Sequence, residues 1–181
     1  MEIDTLAADA EFIFEGKVVD RLTQPDSASG IIYTYVTFSV NEIVKGEYSN
    51  DLLELKFTGG EYEGRIVDVS GLRIPQMGEE GIYFIESLSR NLMNPILGWS
   101  QGHFIIVEEN GERLINTVDK KPVTDVQAMS AVPAAIKKPL DIIEGKSDTA
   151  AGIVTDANAL SVQRAMTASD FKSRISELIG N

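Results

Sequence analysis

Ile31-Ile32-Tyr33-Thr34-Tyr35-Val36-Thr37-Phe38-Ser39-Val40-Asn41-Glu42-Ile43-Val44 is the stretch whose reading decides the fold. Ile32, Thr34, Val36, Phe38 and Val40 fall on one side of an extended chain, and Tyr33, Tyr35, Thr37 and Ser39 on the other. A period of two with β-branched and aromatic residues describes a strand on a pleated, half-buried surface. Lys45-Gly46 closes it.

Working outward, the same period recurs. Upstream, Glu11 to Asp20 sets Phe12, Phe14, Gly16 and Val18 on one face and Glu15 and Lys17 on the other, with Gly16 marking a bulge or a close backbone approach. The polar loop Thr23 to Gly30 joins the two strands. Downstream come strands at Leu52 to Phe57, Arg65 to Val69, Gly81 to Glu86, Gln101 to Glu109 and Glu112 to Val118, with a short edge at Val123 to Val126. Asn110-Gly111 is a tight-turn signal between two of them. Asp4 to Ala10 reads as a helical turn with Asp4 as N-cap. Six to eight short strands without βαβ alternation predict a mainly β fold: an antiparallel OB-like β-barrel with a short N-terminal helical turn and a C-terminal helix.

The barrel body is expected to span residues 1–126. Residues 127–181 are expected to be a wrapping extension of the same domain, anchored by Leu140, Ile142, Ile143, Ile153 and Val154. It ends in a helix at 167–180, where Thr167 and Asp170 have capping-box spacing and Phe171, Ile175, Leu178 and Ile179 form an apolar stripe.

Charge and composition exclude several function classes. The chain of 181 residues has a formal charge of −12. Residues 1–115 hold 20 acidic and 8 basic side chains and so account for the whole excess. Such a surface repels phosphate backbones, so nucleic acid is not an expected partner. There is no cysteine, which removes disulfides, thiolate metal sites and Cys nucleophiles. No apolar run is long enough to span a bilayer. No leader is visible ahead of Met1-Glu2-Ile3-Asp4, which leaves a cytosolic protein and one whose leader was removed both open.

His103 is the only histidine, so any Ser–His–Asp triad must use it and a two-histidine metal site is impossible. It is expected as a surface or rim residue facing away from Phe104. Glu61-Tyr62-Glu63, Glu79-Glu80 and Glu108-Glu109 lack calcium-loop spacing and read as solvated loop or strand ends. Gly59-Gly60 precedes a strand, not a helix, and so cradles no phosphate. No catalytic residue, metal ligand or cofactor is assigned.

Two places remain as candidate contact surfaces. Gly98-Trp99-Ser100-Gln101-Gly102-His103-Phe104 holds the only tryptophan between glycines at a loop–strand junction. Trp99, Gln101 and His103 there are either a recognition surface or, for Trp99, a plug at one end of the barrel. Tyr33 and Tyr35 are either a contact patch or partners in cross-strand packing.

The stretches Ala8-Asp9-Ala10-Glu11-Phe12-Ile13-Phe14-Glu15-Gly16-Lys17-Val18-Val19, Tyr33 to Gly46, Leu55-Lys56-Phe57-Thr58 and Met77 to Ile85, taken in order, resemble the netrin-like domain. This is the OB-type barrel of tissue inhibitors of metalloproteinases. They also resemble uncharacterised bacterial exported proteins that share this core and a G-x-x-Q-G-x-F segment, here Gly98 to Phe104. The resemblance covers roughly half the chain. It implies an exported (periplasmic or secreted) protein and a protein partner, with a protease as one guess. The inhibitors' zinc-chelating N-terminal cysteine has no counterpart here, so no inhibitory residue carries over. The expectation is a non-enzymatic protein-binding module of the bacterial envelope or exterior. The alternatives are a barrel binding an oligosaccharide or small molecule, and a carboxylate-dependent hydrolase.

Overall fold

A computed structural model describes residues 1–129, 148–155 and 165–180. Helix α1 (Ile3–Asp9) leads into two 14-residue strands, β1 (Phe12–Pro25) and β2 (Ile32–Lys45). Next come β3 (Leu52–Thr58), the small hairpin β4 (Gly60–Tyr62) and β5 (Arg65–Val67), and β6 (Glu80–Ile85). A single 3-10 turn, Trp99–Gly102, opens β7 (His103–Glu109). β8 (Glu112–Thr117), β9 (Val123–Val126), β10 (Ile153–Thr155) and helix α2 (Ala168–Gly180) complete the chain.

Six strands form one antiparallel sheet in the order β3-β2-β1-β6-β7-β8. β3 and β8 are its end strands, and among the described residues no ladder joins them. β9 pairs with β10 beside it. The long β1–β2 ladder slips register at Ile13/Phe14, Glu15/Gly16 and Val18/Asp20. Bulges of this kind bend the strands and steepen their twist. Asn110 and Gly111 both have positive φ, 53° and 81°, as a two-residue hairpin turn needs.

The sheet separates two cores. On one face Ile13, Ile82, Phe84, Phe104 and Ile115 meet Ile3 and Leu6 of α1 and Phe171 and Ile175 of α2. On the other, Phe12, Phe14, Phe38, Phe57 and Tyr83 pack with Val36, Leu53 and Leu55. Phe14 is the hub of this second core, with ring centroids 5.2 Å from Phe12, 5.5 Å from Phe38 and 5.4 Å from Tyr83. The first half of β1 and nearly all of β6 are therefore covered on both sides.

That two-sided covering corrects the expectation for Glu15. It does not face water; it is buried and carries an ion-pair network. One Glu15 oxygen accepts from Arg113 (2.7 Å) and the other from Lys172 of α2 (2.6 Å). Lys172 also bridges to Glu42, and Arg113 to Glu80 at 2.5 Å. Lys172 thus ties the C-terminal helix to β1 and β2. Lys172→Met is expected to cost about 2 kcal/mol, since it leaves Glu15 with one cation fewer in a buried site. Urea unfolding followed by circular dichroism checks this.

One helix start differs from expectation and the other matches it. Asp4 lies inside α1 rather than capping it, and accepts from the Met129 amide at 2.9 Å. At α2 the Asp170 amide donates to Thr167 Oγ1 at 3.1 Å, and the Thr167 hydroxyl donates to the Asp170 carboxylate at 2.9 Å. The expected anchors Leu140, Ile142 and Ile143 lie outside the described residues. Ile153 pairs with Val126 and packs on the first core.

Candidate functional site

His103 is where the structure departs furthest from the sequence reading. It is 1% exposed, not a surface or rim residue. The reason is again two-sided covering. Phe104 points into the core under the helices, and His103 points into the aromatic core, its ring centroid 5.1 Å from that of Tyr83. Its Nε2 lies 2.6 Å from Glu79 Oε1. The Tyr83 hydroxyl donates to the same oxygen at 3.3 Å, and Arg73 pairs with the other oxygen at 3.5 Å. Glu79 is therefore no solvated loop end: its side chain is only 7% exposed. His103 Nδ1 is buried without a partner among the described residues.

Burial pushes the Glu79 carboxyl up, but the hydrogen bond and charge of His103, the charge of Arg73 and the Gln76 amide together outweigh it. The carboxyl titrates below its ordinary value. Burial, with Glu79 beside it, pushes the Tyr83 phenol well above its ordinary value, so it stays a donor. Glu15 behaves like Glu79: burial raises it, and Lys172 and Arg113 bring it below its ordinary value. Carboxyls lowered in the folded state contribute stability above their unfolded value, which is lost as pH falls through the folded one. The stability these two carboxyls contribute is thus expected to be fully present above about pH 5 and to fall away below about pH 4. Thermal unfolding as a function of pH checks this, and Glu79→Gln should flatten the acid limb.

The Trp99–Gln101 junction sits directly before this pair. Gly98 and Trp99 both have left-handed backbone, with φ of 64° and 58°. For glycine that costs little; for tryptophan it is a strained conformation worth about 1–3 kcal/mol. Trp99 is nonetheless 38% exposed. It lies over Gly71, close enough that a Cβ there would be 3.7 Å from the ring. The Ser100 hydroxyl fixes the same loop by donating to the Gly71 carbonyl at 2.9 Å. Gln101 accepts from the Met1 amino group at 2.5 Å.

Beyond Gly71 the same loop borders an open cleft of about 420 Å³, lined by Arg21, Ile66, Val69, Leu72, Arg73 and Gln76 among others. Arg73 belongs to both the cleft and the buried Glu79 pair. Tyr33 and Tyr35 lie elsewhere on the sheet, half-buried, in rows with Gln24 and Thr58 and with Leu22 and Lys56. The Lys56 ammonium sits 4.4 Å over the Tyr33 ring, so that ring face is already occupied.

The structure thus brings His103 together with Arg73, Glu79 and Tyr83, of which the sequence offered only Glu79, as a solvated end, while Trp99 lies by Gly71 and Gln101 by Met1. The apolar run Gly81-Ile82-Tyr83-Phe84-Ile85 was the available signal, because a strand of that kind is covered on both faces and so buries what flanks it. Among the described residues no three His, Asp or Glu side chains converge as a metal site requires, and no helix is long and apolar enough to cross a membrane. Comparison of the chain with models of protein families, with curated proteins and with solved structures finds no match.

Proposed function

We propose that the chain is a non-enzymatic protein-binding module whose contact surface is centred on Trp99. The observation that carries this reading is a large aromatic residue left more than a third exposed on strained backbone. Strain that packing does not require is retained for what it displays, and tryptophan is the side chain most enriched where partners bind. The buried Glu79–His103 pair supports the reading from below by anchoring the strand that the junction opens. An OB-like β body of the netrin type, in a protein of the bacterial envelope or exterior, belongs to the same reading. Its support is the β1–β2–β3 meander with β6 returning beside β1, together with the sequence resemblance.

Trp99→Gly separates display from structure. Glycine tolerates positive φ, so the variant is expected to unfold within about 1 kcal/mol of the wild type, followed by circular dichroism because the only indole is gone. Affinity capture from an envelope fraction should retain a protein with the wild type and lose it with Trp99→Gly. Equal capture by both would sink the reading. The second reading, binding of an oligosaccharide or small molecule, is favoured by the 420 Å³ cleft beside Arg21 and Arg73.

A further inference from the structure

The edge strand β3 carries an interaction surface of its own. Its odd-numbered residues face β2: the Asp51 carbonyl accepts from Val40 and the Gly59 amide donates to Ile32, each at 2.8 Å. Its even-numbered residues therefore present their backbone groups to the open side. Both ends of that open side are capped. The Leu52 carbonyl accepts from the Tyr48 hydroxyl at 2.8 Å, and the Thr58 amide donates to the Met93 carbonyl at 2.9 Å. Between the caps, the N–H and C=O of Glu54 and of Lys56 have no partner among the described residues. Glu54 is exposed, and the Lys56 side chain lies along the same outer face toward Tyr33.

We propose that β3 pairs antiparallel with β3 of a second copy of this chain, about a two-fold axis through Leu55. In that register Glu54 of each copy stands opposite Lys56 of the other. These residues own the unpaired groups, so the two pairs exchange four backbone hydrogen bonds. Directly opposite residues share a face, so each Glu54 carboxylate meets the Lys56 ammonium of the other copy, two such pairs across the axis. The inner face adds no contact, since Leu53 and Phe57 are already buried in the second core. A strand of one charge would repel its own copy; an acid and a base two residues apart, symmetric about Leu55, complement it. The pairing also joins the two Tyr33/Tyr35 faces into one surface. Against a total charge of −12 per chain and with a small contact, the dimer is weak, with a dissociation constant of about 10–100 μM at physiological salt.

Sedimentation equilibrium of the full chain in about 150 mM salt, from about 5 to 500 μM, tests this. The wild type is expected to dimerise over that range. Glu54→Lys and Lys56→Glu are each expected to weaken the dimer about tenfold or more, by setting like charges opposite each other. They move the net charge in opposite directions, to −10 and −14, so an effect of overall charge alone would give opposite signs. The double swap Glu54→Lys/Lys56→Glu should restore the affinity to within about threefold. Glu54→Pro, which removes an outward N–H at an edge, should abolish it. All four changes lie on the outer face, and melting curves verify that each variant is folded. A wild type that stays monomeric, singles that shift in opposite directions, a double swap no tighter than the singles, or a folded proline variant that still dimerises would each overturn the proposal. A partner strand from another protein predicts the monomer and no rescue by the double swap.

Discussion

Replacing Glu79 with alanine is expected to lower the stability of the fold by about 3 kcal/mol, the scale of removing a buried carboxylate from the groups it hydrogen-bonds. The carboxylate serves three groups at once: His103 Nε2, the Tyr83 hydroxyl and Arg73. Without it, the His103 ring keeps no hydrogen bond on either nitrogen among the described residues, because Nδ1 is already unpartnered there. Buried donors left unmade carry their full desolvation cost. Arg73 is about a third exposed and recovers part of its loss from water, which places the estimate at the low end of the range for buried pairs. The melting temperature should drop by roughly 6–12 °C for a chain of this size. A double variant, Glu79→Ala with His103→Phe, should cost less than the sum of its singles, since both polar partners are then gone. A loss of under 1 kcal/mol for Glu79→Ala alone would mean that the pair contributes nothing net.

Gly81→Ala is expected to be at least as damaging, at about 3 kcal/mol, although it adds a single methyl group. Gly81 stands opposite Gly16 across the β1–β6 ladder. A Cβ at Gly81 would lie 2.4 Å from the Phe104 carbonyl oxygen and 3.0 Å from the Tyr83 ring. A Cβ at Gly16 would lie 2.6 Å from the Phe14 ring and 2.8 Å from the Ser39 carbonyl oxygen. The facing glycines let two aromatic rings lie flat along their own strands, where the second core needs them. The methyl group at 81 meets backbone, which cannot turn aside, so β6 and β7 must separate. Gly180→Ala is the control: nothing lies within 4 Å of its added carbon, and it should leave the unfolding midpoint within the spread of ordinary surface changes. Chemical denaturation of both variants decides the matter, and a wild-type midpoint for Gly81→Ala would contradict the packing.

Much of the fold can be read locally. The alternation from Ile32 to Val40 maps onto burial residue by residue as far as Phe38. The turn at Asn110-Gly111 and the helix after Thr167 are where their residue types place them. These features depend on neighbours one to four positions away, which is the range over which turn chemistry, capping and alternation act. The candidate site was legible only in part. Trp99, Gln101 and His103 were visible as a cluster, while the burial of His103 and its pairing with Glu79, 24 residues earlier, were not. Alternation says which side chains share a face; it does not say whether the other face meets water. In β1, β6 and the start of β7 it does not, and Glu15 and His103 became interior polar residues for that reason.

The amino-acid sequence alone therefore settles a mainly β chain with a helix at each end, without cysteine, carrying one tryptophan and one histidine near the start of one strand. The tertiary structure decided the rest. It set six strands into one sheet in the order β3-β2-β1-β6-β7-β8, brought Lys172 across 157 positions to Glu15, and sealed His103 under Glu79 and Tyr83. It also left Trp99 exposed on left-handed backbone, although a lone tryptophan between glycines reads equally well as core. The physical reason is common to all four. Burial of a side chain is set by whatever distant segment comes to lie over it, and the local pattern of a strand carries no record of that segment.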